Sequence, residues 1–185
     1  MFKSILVTLD GTPTSNAGLD YAVDLARDQN AKLVGLHVLD DRAILSNLDE
    51  GHLPARYVDR MYAGLRKQGE AILAKAKSSA HGAGVDLTPL LAEARGRTVA
   101  HAILAQVKKS KADVLVIGTH GRRGLSRLLL GSDAEAVLRE ASIPVLLVKT
   151  AKGGKRKRPG ATKSTSTLRG AGAATRQPSS SAPIA

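Results

Sequence analysis

Short apolar runs alternate with helix-length stretches through the first 150 residues, and few folds accept such a pattern. Ser4 to Leu9 (SILVTL), Leu33 to Leu39 (LVGLHVL), Val85 to Glu93 (VDLTPLLAE), Val114 to Ile117 (VLVI) and Pro144 to Lys149 (PVLLVK) read as strands. Nearly continuous apolar strands suit a parallel sheet buried on both faces. Strands alternating with helices argue for an open parallel α/β sheet with helices on both faces and right-handed crossovers. Pro89 interrupts the third strand and favours an edge position, because proline cannot donate to a ladder.

The helices follow from periodicity and caps. Thr14 or Ser15 can cap the first helix, whose apolar face is Ala17, Leu19, Ala22, Val23, Leu25 and Ala26. A long helix is expected from Ala55 to Ala80, another from Thr98 to Ser110, and a short one from Asp133 to Ala141. Asp40 to Pro54 has weak periodicity and mixed charge and reads as a loop. Asp40 and Asp41, at the end of the second strand, could cap or coordinate, but a solvated turn is the expected reading.

In open parallel sheets ligands bind beyond the C-terminal ends of the strands, where strand order reverses. Three connections of this chain fall there: Leu9 to Thr14, Val38 to Asp41, and Gly118 to Ser132. The last reads GTHGRRGLSRLLLGS. Two residues separate Gly118 from Gly121, nine separate Gly121 from Gly131, and Ser132 follows at once. Backbone N–H groups of such a run can converge on an anion where no Cβ blocks the approach, and a helix N-terminus adds positive potential. The run is neither a P-loop, lacking Gly-Lys-Ser/Thr, nor GxGxxG. Ser132 with Glu135 also matches a capping box, so spacing alone leaves phosphate binding and a plain helix start both open.

Composition narrows the function classes. The chain has no Cys, which removes disulfides, thiolate metal sites and cysteine nucleophiles. One Phe, three Tyr and no Trp leave the core to aliphatic residues. His37, His52, His81, His101 and His120 lack metal-ligand spacing, although His120 lies inside the glycine run. No G-x-S-x-G elbow marks a hydrolase, and no base is dedicated to attacking a γ-phosphate, so no catalytic residue is assigned. No apolar run reaches the roughly 18 residues of a membrane span, and MFKSILVTLDG reads as a first strand rather than a secretory signal.

The net charge of +12 is unevenly distributed. Residues 1–150 hold 20 Lys and Arg against 16 Asp and Glu, whereas residues 151–185 hold 8 Lys and Arg and no acid. The chain therefore divides into a domain, 1–150, and a basic tail, 151–185. The tail is poor in large apolar residues and is expected to be disordered. Lys152, Lys155, Arg156, Lys157 and Arg158 give it the means to contact nucleic-acid phosphates without reading sequence.

With these pieces in order, residues 1 to about 150 resemble the universal stress protein family. ILVTLDGTPTSNAGLDYAVDLA resembles its first strand, Asp turn and first helix, and LVGLHVLD its second strand. GTHGRRGLSRLLLGSDAEAVLREASIPVLLVK resembles its C-terminal block, with the G-x2-G-x9-G-[ST] spacing of the ATP-binding branch. The resemblance implies a Rossmann-like sheet of order 3-2-1-4-5. It implies Asp10 near the ribose and phosphates, the Val38 backbone at the adenine, and Gly118 beside the ribose. Gly121, Gly131 and Ser132 would hold the phosphates of ATP, with Mg2+ or Mn2+ bound through them. It implies a homodimer through the fifth strand and a cytoplasmic, nucleotide-responsive stress-response binder. A slow ATP-hydrolysing enzyme of the same superfamily and a nucleic-acid accessory protein are the alternatives. Asp133 departs from the pattern, because many nucleotide-binding members carry an uncharged residue there. A carboxylate facing phosphates would cost affinity, and Arg122, Arg123 and Arg127 could offset it.

Overall fold

The computed structural model describes residues 1–49, 54–119 and 130–149. Gly121, His120, Arg122, Arg123, Arg127 and the tail lie outside the described residues. Five parallel strands, β1 (Ser4–Thr8), β2 (Lys32–Leu39), β3 (Leu87–Glu93), β4 (Val114–Gly118) and β5 (Val145–Val148), form one sheet in the order β3-β2-β1-β4-β5. The order is the expected one. Pro89 duly lies on an edge strand, paired in register with Gly35.

Period-two alternation sends successive side chains to opposite faces. Ile5 and Val7 of β1 and Val114 and Val116 of β4 point to one side, where α1 (Pro13–Gln29) and α3 (Ala55–His81) pack with Leu19, Ala22, Val23, Leu73, Ala76 and Ala80. Leu6, Leu115 and Ile117 point to the other. There α4 (Val99–Ser110) and α5 (Ser132–Glu140) cover them with Ile103, Val107, Ala134 and Val137. Leu6 and Leu115 are fully buried; truncating either to Ala would cost about 2–5 kcal/mol.

The caps differ from expectation in two places. The first helix is capped by Thr12, not Thr14 or Ser15: the Ser15 amide donates to Thr12 Oγ1 at 3.2 Å, and Pro13 takes the first helical position, where its missing N–H costs nothing. Thr14 and Ser15 are instead buried in the first turn. At α5, Ser132 is the first helical residue and Gly131 is the cap, with no side-chain hydrogen bond. The capping box is therefore not formed.

The segment expected as a loop carries a helix, α2 (Arg42–Asp49). Ile44 is its buried anchor. Asp41 holds its start, accepting at its carbonyl from the amides of Ile44 and Leu45, both at 3.0 Å.

Candidate nucleotide-binding edge

The C-terminal ends of β2, β1 and β4 are neighbours, and five of the six expected site residues are found along that edge. Asp10 lies two residues past Thr8, and Val38 two residues past Leu36, the register partner of Thr8. Gly118 ends β4, opposite Val148 of β5. Gly131 and Ser132 open α5. Gly121, the sixth, lies outside the described residues.

Asp10 is built into the turn that follows β1. Its Oδ1 accepts from the Thr12 amide at 2.9 Å and from Thr12 Oγ1 at 2.6 Å, and its own amide meets Ser15 Oγ at 3.3 Å. Gly11 between them has φ +82°, a left-handed conformation that costs a residue without Cβ little. The turn therefore fixes the carboxylate's orientation before any ligand arrives.

Gly118 is required by close approach. A Cβ on it would stand 3.0 Å from Thr14 Cγ2, 3.3 Å from the Thr14 carbonyl carbon and 3.4 Å from the Ser15 amide nitrogen. The end of β4 thus abuts the first turn of α1. Beyond it, the Gly131 amide donates to the Thr119 carbonyl at 2.9 Å, and the Thr119 amide donates to Val148 at 2.9 Å. These bonds tie the two ends of the glycine-rich connection together at the sheet edge. At the same point α5 begins without a side-chain cap. Helix starts leave several amides without intrahelical partners, and the helix dipole makes them receptive to an anion. Val38 is half-buried and joins the apolar cluster that also includes Leu130 and Ala134. The second strand's end and the start of α5 therefore border one core.

Three polar residues to which the sequence assigned no site role are held by specific bonds near the ends of β1 and β2. Asp41, expected in a solvated turn, is only 3% exposed. Its Oδ1 accepts from the Gly96 amide at 3.0 Å and its Oδ2 from Tyr62 Oη at 3.3 Å. Burial and the Asp41 charge together push the Tyr62 hydroxyl pKa up. His37 is also buried, with Nδ1 2.5 Å from the Leu9 carbonyl, joining β2 to the exit of β1. Arg42, at the start of α2, grips Asp40 with two hydrogen bonds, Nε to Oδ1 at 2.7 Å and Nη2 to Oδ2 at 2.8 Å.

A cleft of about 690 Å3 opens beside Asp10, Gly11 and Thr12, but it runs between α1 and α3, past Asp20, Gln68 and Lys75. It lies on the sheet face opposite Val38, and neither Gly118, Gly131 nor Ser132 lines it. Among the described residues no group of three or more His, Asp and Glu is placed to hold a metal ion. Also among them, no helix is long and apolar enough to cross a membrane.

The comparisons with known proteins agree with this architecture. The profile described as "Universal stress protein family" matches residues 1–149. Universal stress protein YxiE of Bacillus subtilis is 33% identical over 151 residues, spanning 80% of this chain and 100% of that protein. A crystal structure of a universal stress protein family member from Burkholderia pseudomallei is 32% identical, with a TM-score of 0.59, over 78% of this chain and 94% of its own. A universal stress protein solved in complex with cAMP is 25% identical, with a TM-score of 0.57, over 81% of this chain and 98% of its own. The profile match, the 3-2-1-4-5 sheet and the glycine-rich join at its edge lead to one conclusion: this chain belongs to the universal stress protein family.

Proposed function

We propose that this protein binds ATP at the C-terminal edge of β2, β1 and β4 and acts as a nucleotide-responsive stress-response binder. The observation that carries the reading is the pinched glycine-rich connection. Its two ends meet through the Gly131–Thr119 hydrogen bond at the uncapped start of α5, an arrangement suited to an anion. The similar protein that binds cAMP supports an adenine nucleotide as the class of ligand.

In this reading the phosphates rest on Gly121, Gly131 and Ser132, the ribose lies by Gly118 and Asp10, and the Val38 backbone meets the adenine. With no carboxylate or imidazole cluster at hand among the described residues, Mg2+ or Mn2+ would enter with the phosphates. The partner surface is a homodimer formed through β5, and the basic tail is a separate, sequence-independent contact for nucleic acid.

Mass spectrometry of nucleotide released from protein purified without added ligand tests the reading, followed by calorimetric titration with ATP. The expected result is an adenine nucleotide in the wild type and its loss in Gly131→Val. Gly131 has φ −62°, so valine there adds no left-handed strain and acts by filling the space before α5. Unchanged ATP affinity in folded Gly131→Val, or no nucleotide and no ATP affinity in the wild type, overturns the reading.

A further inference from the structure

Two helices lie on one face of the sheet without closing on each other. α1 and α3 each pack more extensively on the strands than on one another. The cleft of about 690 Å3 is the gap that remains between them. One row of side chains from each helix borders it. α1 contributes Asn16, Leu19 and Asp20, and α3 contributes Gln68, Ala71, Ile72 and Lys75. Spacings of three and four place such residues on one side of a helix. The α3 row runs on through Ala76 to Ser79. Three of its members, Ala71, Ala76 and Ser79, are small and leave the space that longer side chains would fill.

The floor of the cleft is apolar and its rim is polar. Leu9, Leu19 and Ala76 belong to the core on this face, and Ile72 packs against it. Lys75 is the one cation among the described lining residues, and it forms no ion pair with any described residue. An ammonium offers three donors and no acceptor. Ser79, one helical turn further along the same row, adds a hydroxyl. Two carboxylates, Asp10 and Asp20, also border the cleft. Asp10 Oδ1 already accepts from the Thr12 amide and hydroxyl. The cleft therefore offers a contact to one negative charge and repulsion to a second, whereas a cation would face Lys75. An apolar floor with a few convergent polar groups is the make-up of small-molecule sites, and the volume is of their usual order, roughly 300–1,000 Å3.

We propose that the α1–α3 cleft is a second ligand site, separate from the nucleotide edge, that takes a small monocarboxylate with an apolar body. The carboxylate meets the Lys75 ammonium and the Ser79 hydroxyl, and the body lies on Leu9, Leu19 and Ile72. Asp10 and Asp20 disfavour a second negative charge, so the cleft does not extend the phosphate site. The Asp10–Thr12 turn is the wall between the two. It is held against α3, since a Cβ on Gly11 would stand 3.3 Å from Ile72 Cδ1. The inference stands without the nucleotide reading.

The test is titration of octanoate into the full-length protein, followed by amide chemical shifts in nuclear magnetic resonance and by calorimetry. Octanol, octylamine and octyl phosphate carry the same chain with other head groups, and at about pH 8 the phosphate is doubly charged. Octanoate should saturate, shift the amides of Gly11, Asn16 and Lys75, and bind more tightly than the other three. Lys75→Met keeps the stem and removes the charge. It should weaken octanoate by about tenfold and leave octanol unchanged. Ala71→Phe, at an exposed helix position on the cleft, should weaken both. Unfolding midpoints check the two variants, and the wild-type series decides the proposal if either fails to fold. Tighter binding of octylamine would assign the cleft to cations through Asp10 and Asp20 and overturn the proposal. Octanol or octyl phosphate binding as tightly as octanoate would overturn it too. So would unchanged octanoate affinity in Lys75→Met, amide shifts confined to residues away from the cleft, or no saturable octanoate binding.

Discussion

Gly118 of β4 and Thr14 of α1 meet so closely that a Cβ on the glycine would stand 3.0 Å from Thr14 Cγ2. The contact fixes how the sheet edge meets the first helix, and hence how the Asp10 turn faces the glycine-rich connection. A valine at 118 would also press on the Thr14 carbonyl carbon and the Ser15 amide, which are backbone and cannot swing aside. Gly118→Val should destabilise the chain by about 1–3 kcal/mol, as overpacking does, and should weaken ATP binding together with it. Urea unfolding and titration of the same preparation check both effects. A stable variant with wild-type affinity would show that the edge yields at no cost.

A second close approach holds the long helix on the sheet. A Cβ on Gly69 would stand 2.6 Å from His37 Cδ2 and 2.7 Å from Leu91 Cδ1. In an exposed helix Gly→Ala gains about 1 kcal/mol of propensity. Here overpacking of about 1–3 kcal/mol opposes it, so Gly69→Ala should come out neutral to destabilising by about 2 kcal/mol. Gly64, where a Cβ meets nothing within 4 Å, is the internal control, and Gly64→Ala should stabilise. A stabilising Gly69→Ala would count against the packing described.

How far the sequence reached can be judged from particular residues. The five strands announced themselves because a parallel strand buried on both faces is an apolar run, and Pro89 marked its own strand as an edge. The first helix was legible, but its cap was sought at Thr14 or Ser15, two or three residues too late. Thr12 before a proline is the signal that would have found it. α2 escaped because eight residues give barely two turns of period, and among its described side chains Ile44 alone is fully buried. Asp41 escaped for a different reason. Its partners, Tyr62 and Gly96, lie 21 and 55 residues away, and no local pattern encodes such a contact. The Arg42–Asp40 fork is local, but it lies in a stretch whose weak periodicity reads as a loop.

Acid stability should report on the start of the sheet. Asp113 Oδ2 accepts from the Lys3 amide at 2.6 Å and the Ser4 amide at 2.9 Å, joining the first strand to the entry of β4. Those two bonds hold its carboxyl pKa below the ordinary value. The unfolded chain therefore takes up a proton at Asp113 before the folded chain does. The contribution is fully present above the ordinary Asp pKa of about 3.9 and is lost as pH falls through the lower folded value. Asp113→Asn should lower stability at neutral pH and flatten its fall between neutral and acid pH. Urea midpoints measured across that range decide it, and parallel curves for the two proteins would contradict it.

The fifth strand is an edge of four residues, and its middle is unusually apolar for one. Leu146 is 39% exposed, and its neighbours Val145 and Leu147 are half-buried. A bare apolar edge invites pairing with another chain, and a two-fold pair satisfies both copies at once. Pro144 lacks an N–H, which confines pairing to the residues after it. Leu146→Lys should convert a dimer to a monomer in sedimentation velocity at micromolar concentration, with ATP binding per chain retained. A monomeric wild type under those conditions would dispose of the β5 dimer.

The basic tail offers the cleanest separation of roles. Residues 151–185 carry 8 Lys and Arg and no acid, against a nearly balanced 1–150, so two-thirds of the net charge of +12 lies beyond the last strand. β5 ends at Val148, and every residue assigned to the nucleotide lies before it. A chain ending at Thr150 should therefore unfold at the wild-type urea midpoint and bind ATP with wild-type affinity. It should lose retention on DNA or RNA at low salt. Retention by the full chain should be indifferent to sequence and fall steeply with added salt, because contacts to phosphates release counterions. The tail also lacks the interleaved aromatic side chains on which bases stack, so single strands should gain no advantage beyond their charge. If the shortened chain holds nucleic acid as well as the full one, the tail is a passive extension. The basic surface must then lie on residues 1–150, with Arg122, Arg123 and Arg127 of the glycine-rich connection as the first positions to neutralise.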